Sequence, residues 1–232
     1  MNGGGAGGGT LVFCDIEGTL IAGSIASGFV RAGRARGLFP WRQLAVAQGY
    51  TLLGRLLPRY APDLRWRALL HLLAGQDREA VRQAGIAGLA DLSERLQRAT
   101  LARLTGHQAQ GDRVVLLSGS LQDAAAAIAA AVGVDAGEGT QPEIRQGRYT
   151  GRMGAAPINQ GAAKAQRAGA LAQAHGVPLA QCVAYGDSGA DIPLLAAVGY
   201  PVAVDPDAAL HAVAQQRGWE ILWNSARPGG RS

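Results

Sequence analysis

A chain of 232 residues with 48% hydrophobic content is long enough to bury an α/β core and a smaller second unit, without disulfides or metals as staples. No uninterrupted apolar run approaches the ~18 residues of a membrane span, which excludes that class. The net charge of +5 suits nucleic acid, anionic lipid or anionic substrates alike and does not choose among them. The two cysteines, Cys14 and Cys182, sit inside apolar strand-like runs, where a thiol packs as a small hydrophobe. A reducing, cytoplasmic setting is therefore expected.

Residues 1–9 read as a flexible leader, with neither the charged region nor the apolar stretch of a secretion signal. Thr10 to Leu20, TLVFCDIEGTL, is a short apolar run that empties into Asp15 and Glu17 and then turns at Gly18-Thr19. It reads as a buried strand of a parallel sheet, and such strands deliver their last residues to the crevice where ligands bind. Burying Asp15 without a counter-ion costs several kcal/mol, so the chain must supply one. A helical segment follows, roughly Ser24 to Leu92. Between Glu17 and Asp63 there is no carboxylate, while Arg31, Arg34, Arg36, Arg42, Arg55 and Arg59 all fall in that interval. Trp41, Leu44, Ala45, Gln48, Leu52, Leu53, Leu56 and Tyr60 recur at helical spacing, ending near Pro58. Further amphipathic stretches run from Leu64 to Leu73 and from Asp77, a capping residue, to about Leu89.

The expected organisation is a catalytic α/β core of residues 10–22 and 93–232, with residues 23–92 as an inserted helical cap. A helix over Ser93–Gln108 leads to the strand Val114–Leu117, which ends at Ser118-Gly119-Ser120. Leu121–Val132 reads as a helix closed by Gly133, and Glu143–Gly151 as a hairpin. A helix over Ala162–His175 carries Lys164 in its first turn. The strand Gln181–Tyr185 empties into Gly186-Asp187-Ser188, and Asp191 is expected to cap a helix from Ile192 to Val198. A strand over Pro201–Val204, a terminal helix and Trp219–Leu222 complete a doubly wound parallel sheet.

Three strands thus end in polar residues: Asp15 with Glu17, Ser118, and Asp187 with Asp191 nearby. Converging carboxylates beside an ammonium and a hydroxyl form an oxygen-rich site suited to a hard cation such as magnesium. Each residue alone has a plainer reading, as a turn, a cap or a solvated lysine.

Asp15-Ile16-Glu17-Gly18-Thr19, Leu117-Ser118-Gly119-Ser120, Lys164 and Gly186-Asp187-Ser188-Gly189-Ala190-Asp191 resemble the four ordered motifs of the haloacid dehalogenase superfamily. The helical insertion after the first motif is similar to the cap of its phosphoserine phosphatase-like branch. So is the closing segment from Gly199 to Asp207, with Gly218-Trp219 beyond it. The resemblance implies a phosphatase. Asp15 would be the nucleophile and Glu17 the general acid and base. Ser118, Gly119 and Lys164 would bind the phosphoryl group. Magnesium would be held by Asp15, the backbone carbonyl of Glu17 and Asp187, with Asp191 orienting its surroundings. The partner expected is a small phosphorylated substrate and not nucleic acid.

Two departures from the family pattern carry expectations of their own. Glu17 stands where most members have Asp, which resembles a phosphoserine:homoserine phosphotransferase and keeps transfer to an alcohol as the alternative reaction. A non-catalytic binding module on the same fold ranks behind both. Phosphoserine phosphatases hold the substrate's ammonium with a carboxylate just after the first motif, and this chain has none before Asp63, so phosphoserine is not the expected substrate. For the arginine-rich cap, a solvated helix face whose apolar side packs inward ranks first. Recognition of a second anionic group on the substrate ranks next. Contact with anionic lipid ranks last.

Overall fold

The computed structural model describes residues 9–224; the leader expected at 1–9 lies almost wholly outside them. Strand β1 (Leu11–Cys14) is followed by helices α1 (Ala26–Ala35), α2 (Trp41–Leu56), α3 (Ala61–Leu73) and α4 (Arg78–Ala87). Next come α5 (Leu92–Arg95), α6 (Arg98–Ala109), β2 (Arg113–Leu121), α7 (Gln122–Val132) and β3 (Ala136–Thr140). The hairpin strands β4 (Pro142–Arg145) and β5 (Arg148–Met153) precede α8 (Ala162–Ala174) and β6 (Val183–Gly186). Helix α9 (Ile192–Ala197), β7 (Tyr200–Val204), α10 (Ala208–Arg217) and β8 (Glu220–Leu222) close the described chain.

The described residues divide into two compact units: 9–24, 92–139 and 158–224 form the first, Ile25–Asp91 and Thr140–Pro157 the second. In the first, six strands lie in the order β3-β2-β1-β6-β7-β8. β1 pairs in parallel with both β2 and β6, and β6–β7 and β7–β8 are parallel too. The sheet is therefore doubly wound, as the alternation of strands and helices implies. β1 is buried along its whole length because both faces are covered, which is why its sequence is continuously apolar rather than alternating. On one face Leu11, Phe13, Val115 and Leu117 pack with Ala168 and Ala172 of α8, Leu194 of α9 and Leu210 of α10. Placing β1 at the centre sets Asp15 between β2 and β6.

Three local differences from the sequence reading have clear causes. The helix expected over Ser93–Gln108 is interrupted, because Gln97 N–H donates to Leu20 O at 2.8 Å and Leu96 bridges Ile21. Strand β3 has no apolar signature; its glycines are there for close approach, since a Cβ on Gly137 would lie 2.1 Å from Ala125 O. The hairpin, assigned to the core from sequence, groups with the second unit. Its backbone pairs with the turn after α3, Gly75 N–H donating to Tyr149 O at 2.8 Å and Tyr149 N–H to Gln76 O at 3.0 Å.

The second unit has its own small core of Phe39, Ala47, Ala68 and Leu72, flanked by Phe29, Leu44 and Tyr50. Asp77 caps α4 as expected, accepting from Ala80 N–H at 3.0 Å. Helix α2 corrects the sequence reading of its packing. Its inward residues are the small Ala47 and Gly54, whereas Trp41, Leu52, Leu53 and Leu56 of the apolar stripe are exposed. No helix among the described residues is long and apolar enough to cross a membrane.

Candidate active site

Asp15, Glu17, Ser118, Gly119, Lys164, Asp187 and Asp191 all belong to the first unit. The register sets Cys14 opposite Leu116 on one side and Tyr185 on the other. Asp15 therefore emerges between β2, which carries Ser118 and continues past it to Leu121 instead of ending there, and the end of β6, which Asp187 follows. Its backbone N–H extends the ladder, donating to Tyr185 O at 3.0 Å. The chain then turns sharply, Ile16 O accepting from Leu20 N–H at 3.0 Å and from Ile21 N–H at 2.8 Å. This turn holds Glu17 and Thr19 beside the strand end.

Lys164 Nζ donates to Asp15 Oδ1 and to Asp191 Oδ1, both at 2.6 Å. Its side chain is only 4% exposed, against 10% for Asp15 and 2% for Asp191. The lysine is thus the counter-ion that a buried Asp15 requires. Burial lowers the pKa of Lys164, but the attraction of Asp15 and Asp191 outweighs it and holds the ammonium charged well above its ordinary range. The other oxygen of Asp191, Oδ2, accepts from Ser188 Oγ at 3.1 Å. Asp191 was expected to cap the helix from Ile192; that cap bond is absent, because its carboxylate is turned back to Lys164 and Ser188. Asp187 Oδ1 accepts from Thr19 Oγ1 at 3.2 Å. Glu17 accepts from Ser24 Oγ at 2.6 Å and from Ser120 Oγ at 3.3 Å. Ser118 is buried, and its Oγ accepts from Ser120 N–H at 3.0 Å, with Gly119 between them on β2.

From sequence, Thr19, Ser120 and Ser188 stand only as motif members and Ser24 only as the start of the helical segment, none with a role of its own. The signal available was their position: three of these hydroxyls lie within two residues of a candidate site residue, and each restrains a carboxylate.

One oxygen from each of Asp15, Asp187 and Asp191 lies within 4.8 Å of the others. One ammonium, bonded to Asp15 and Asp191, stands against three carboxylates, so two negative charges are left over when all three are ionised. Burial pushes Asp15 up to about 7 against the pull of Lys164, with repulsion from Asp191 and Asp187 adding to it. Burial, then Asp191, pushes Asp187 up to about 6. This surplus charge on an all-oxygen donor set fits a hard divalent cation, which would remove it. Cys14 is a packing residue: burial first, then the Asp15 charge, drives its thiol well above the ordinary range.

Two outcomes follow directly. Both shifted carboxylates lie above their ordinary 3.8, so the folded protein keeps protons that the unfolded chain releases, and stability falls as pH rises through 3.8 to about 7. Thermal melting in chelator is expected to drop from about pH 5 to about pH 8, with magnesium chloride or Asp187→Asn flattening the slope; a melting temperature that rises over this range in chelator contradicts it. Gly18 has φ +89°, and a Cβ there would lie 2.1 Å from Asp187 Oδ2. Gly18→Ala is expected to cost at least about 1–2 kcal/mol in backbone strain and to weaken cation binding by displacing Asp187, measured by calorimetric titration; unchanged affinity contradicts the placement.

The family model for haloacid dehalogenase-like hydrolases matches residues 12–196. A phosphoserine phosphatase of Mycobacterium tuberculosis is 32% identical over 213 residues, covering 90% of this chain and 69% of its own. A protein of Streptomyces azureus named for inhibition of morphological differentiation is 32% identical over 219 residues, 92% of this chain and 78% of its own. Among solved structures, a Bordetella pertussis protein of unknown function superposes with a TM-score of 0.77 at 28% identity, covering 94% of this chain and 99% of its own. A parallel α/β core with an oxygen-rich cluster at its strand ends is the framework of an enzyme whose site can hold a hard cation. The chain belongs to the haloacid dehalogenase-like hydrolases.

Proposed function

We propose that the protein is a magnesium-dependent phosphatase that hydrolyses a small phosphomonoester through an aspartyl-phosphate formed on Asp15. The observation that carries this reading is the buried Lys164 ammonium, held at 2.6 Å by both Asp15 and Asp191 beside Asp187. That arrangement puts a nucleophilic carboxylate and a fixed positive charge where a phosphoryl group can meet both.

In the first step an oxygen of Asp15 bonds to phosphorus and the ester P–O bond breaks, with Glu17 giving its proton to the departing oxygen. In the second, Glu17 takes a proton from water, whose oxygen attacks the same phosphorus; inorganic phosphate leaves and Asp15 returns to a carboxylate. Ser118, Gly119 and Lys164 bind the transferring group, and Lys164 offsets charge that spreads over its oxygens. Asp191 holds Lys164 in place. Magnesium, which Asp15, Asp187 and the Glu17 backbone carbonyl would hold, supplies the charge that suppresses repulsion between a carboxylate and a phosphate. Residues 23–92 are read as the cap, and the protein as cytoplasmic, in keeping with the free thiols of Cys14 and Cys182.

The test is hydrolysis of a generic aryl phosphate with and without magnesium, followed by a panel of phosphorylated metabolites. Magnesium-dependent release of phosphate is expected, with phosphoserine no better than the aryl ester, because no carboxylate lies between Glu17 and Asp63 to pair with its ammonium. A strong preference for phosphoserine overturns the substrate reading, and an absence of phosphatase activity on the whole panel overturns the reaction.

A further inference from the structure

Helix α2 is apolar on two sides. On a wheel of 100° per residue, Ala47 and Gly54 mark the side packed on the second unit's own core, with Gly54 against Ala61 of α3. Trp41, Ala45, Leu52 and Leu56 fall within an arc of about 60° on the other side. There Trp41 is 73% exposed, Leu56 70% and Leu52 56% among the described residues. Leu53, Leu57 and Tyr60 extend this surface.

Its charge is of one sign. From Leu38 to Gln76 the chain carries Arg42, Arg55, Arg59, Arg65 and Arg67 against the single carboxylate of Asp63. Arg42 and Arg59 stack on aromatic rings of the patch, Arg42 at 5.5 Å from the Trp41 centroid and Arg59 at 4.7 Å from that of Tyr60. The ion pairs of this unit fall on other elements, such as Arg31–Asp91, Arg82–Glu79 and Arg145–Glu143.

We infer that the outer face of α2 docks on an anionic lipid surface, with Trp41, Leu52 and Leu56 entering the headgroup boundary and Arg42, Arg55 and Arg59 paired to lipid phosphates. Leucines and a tryptophan sit on one side of the helix and arginines flank them, the arrangement an interfacial helix needs. Acidic partner residues are what a second copy of this face lacks, so self-association would set arginine against arginine. The exposure of these residues thus reverses the sequence-based order, which placed a solvated face first and lipid last. The inference stands apart from the phosphatase reading.

The test is co-sedimentation of the full chain with phosphatidylcholine vesicles, pure or carrying about a quarter phosphatidylserine. Binding to the anionic vesicles is expected to exceed that to neutral ones by about tenfold or more and to fall toward the neutral level at high salt. Leu52→Glu with Leu56→Glu removes that binding while melting temperature and aryl phosphatase activity stay at the wild-type level. Arg42→Gln with Arg59→Gln weakens binding and its salt dependence while every apolar side chain of the stripe is kept. Equal binding to both vesicles, or none, overturns the inference. So does a concentration-dependent dimer that the leucine variant abolishes, which would make the face a contact between copies.

Discussion

Asp15→Asn is expected to lower kcat on an aryl phosphate by at least about 10⁴-fold, as when the nucleophile of a concerted catalytic group is removed, while the fold stays intact. The amide oxygen can still accept from Lys164, and Asp191 keeps its 2.6 Å bond to the same ammonium, so no buried charge is left without a partner. The substitution also deletes one of the carboxylates responsible for the surplus negative charge. The metal-free variant should therefore melt no lower than the wild type, and higher above about pH 7, where Asp15 would otherwise be ionised. Steady-state kinetics and melting curves decide it. Activity within tenfold of the wild type removes Asp15 from the chemistry; lost activity with a lower melting temperature shows that the residue acts on the fold instead.

Lys164→Met is expected to damage both stability and rate. In chelator at about pH 8, Asp15 and Asp191 would share a dry site with no cation, and breaking such a buried pair costs about 3–5 kcal/mol. The loss has a sign in pH. Without the ammonium the folded-state carboxylates are pushed further up, so the variant regains stability as pH falls and they protonate, whereas Asp15→Asn, in which the ammonium stays and Asp187 is the raised carboxylate left, recovers less. The kcat of the folded variant should drop by about 10²–10³-fold, the size found when one preorganised charge partner of a developing anion is removed. Denaturant unfolding at two pH values, with and without magnesium, measures it. A variant as stable as the wild type at about pH 8 in chelator would mean that Lys164 is not the counter-ion.

Much of this centre is legible in the sequence because the physics that buries a parallel strand also ends it abruptly. Leu11–Cys14 and Val114–Leu117 are continuous apolar runs, and the polar residue that follows each run marks where the doubly covered part of the strand stops, although β2 itself continues past Ser118 to Leu121. Asp15, Ser118 and Asp187 could be read that way. Lys164 was found by the need for a counter-ion and the motif order, and its 2.6 Å contacts supply the reason. What stayed hidden depends on partners distant in the chain. Strand β3 is specified by how closely Gly137 approaches Ala125, which no local pattern announces. The hairpin of β4 and β5 looks the same wherever it docks, and its grouping follows from bonds made to the turn after α3, some 70 residues away. Asp191 carries the local signature of a cap, and the ion pair with Lys164 overrides it. Helix α2 departs from its expected packing for a related reason: periodicity reveals an apolar stripe but not whether that stripe faces the core or the solvent.

The central claim is that the Asp15 carboxylate itself carries the phosphoryl group during turnover. Acid quench of the enzyme while it turns over a radiolabelled aryl phosphate with magnesium, followed by peptide mapping, tests this directly. Label is expected on the peptide that contains Asp15, labile to hydroxylamine as an acyl phosphate must be, and absent from Asp15→Asn. Label that resists hydroxylamine on the peptide of Ser118, or rapid turnover with no labelled protein at any quench time, would contradict it.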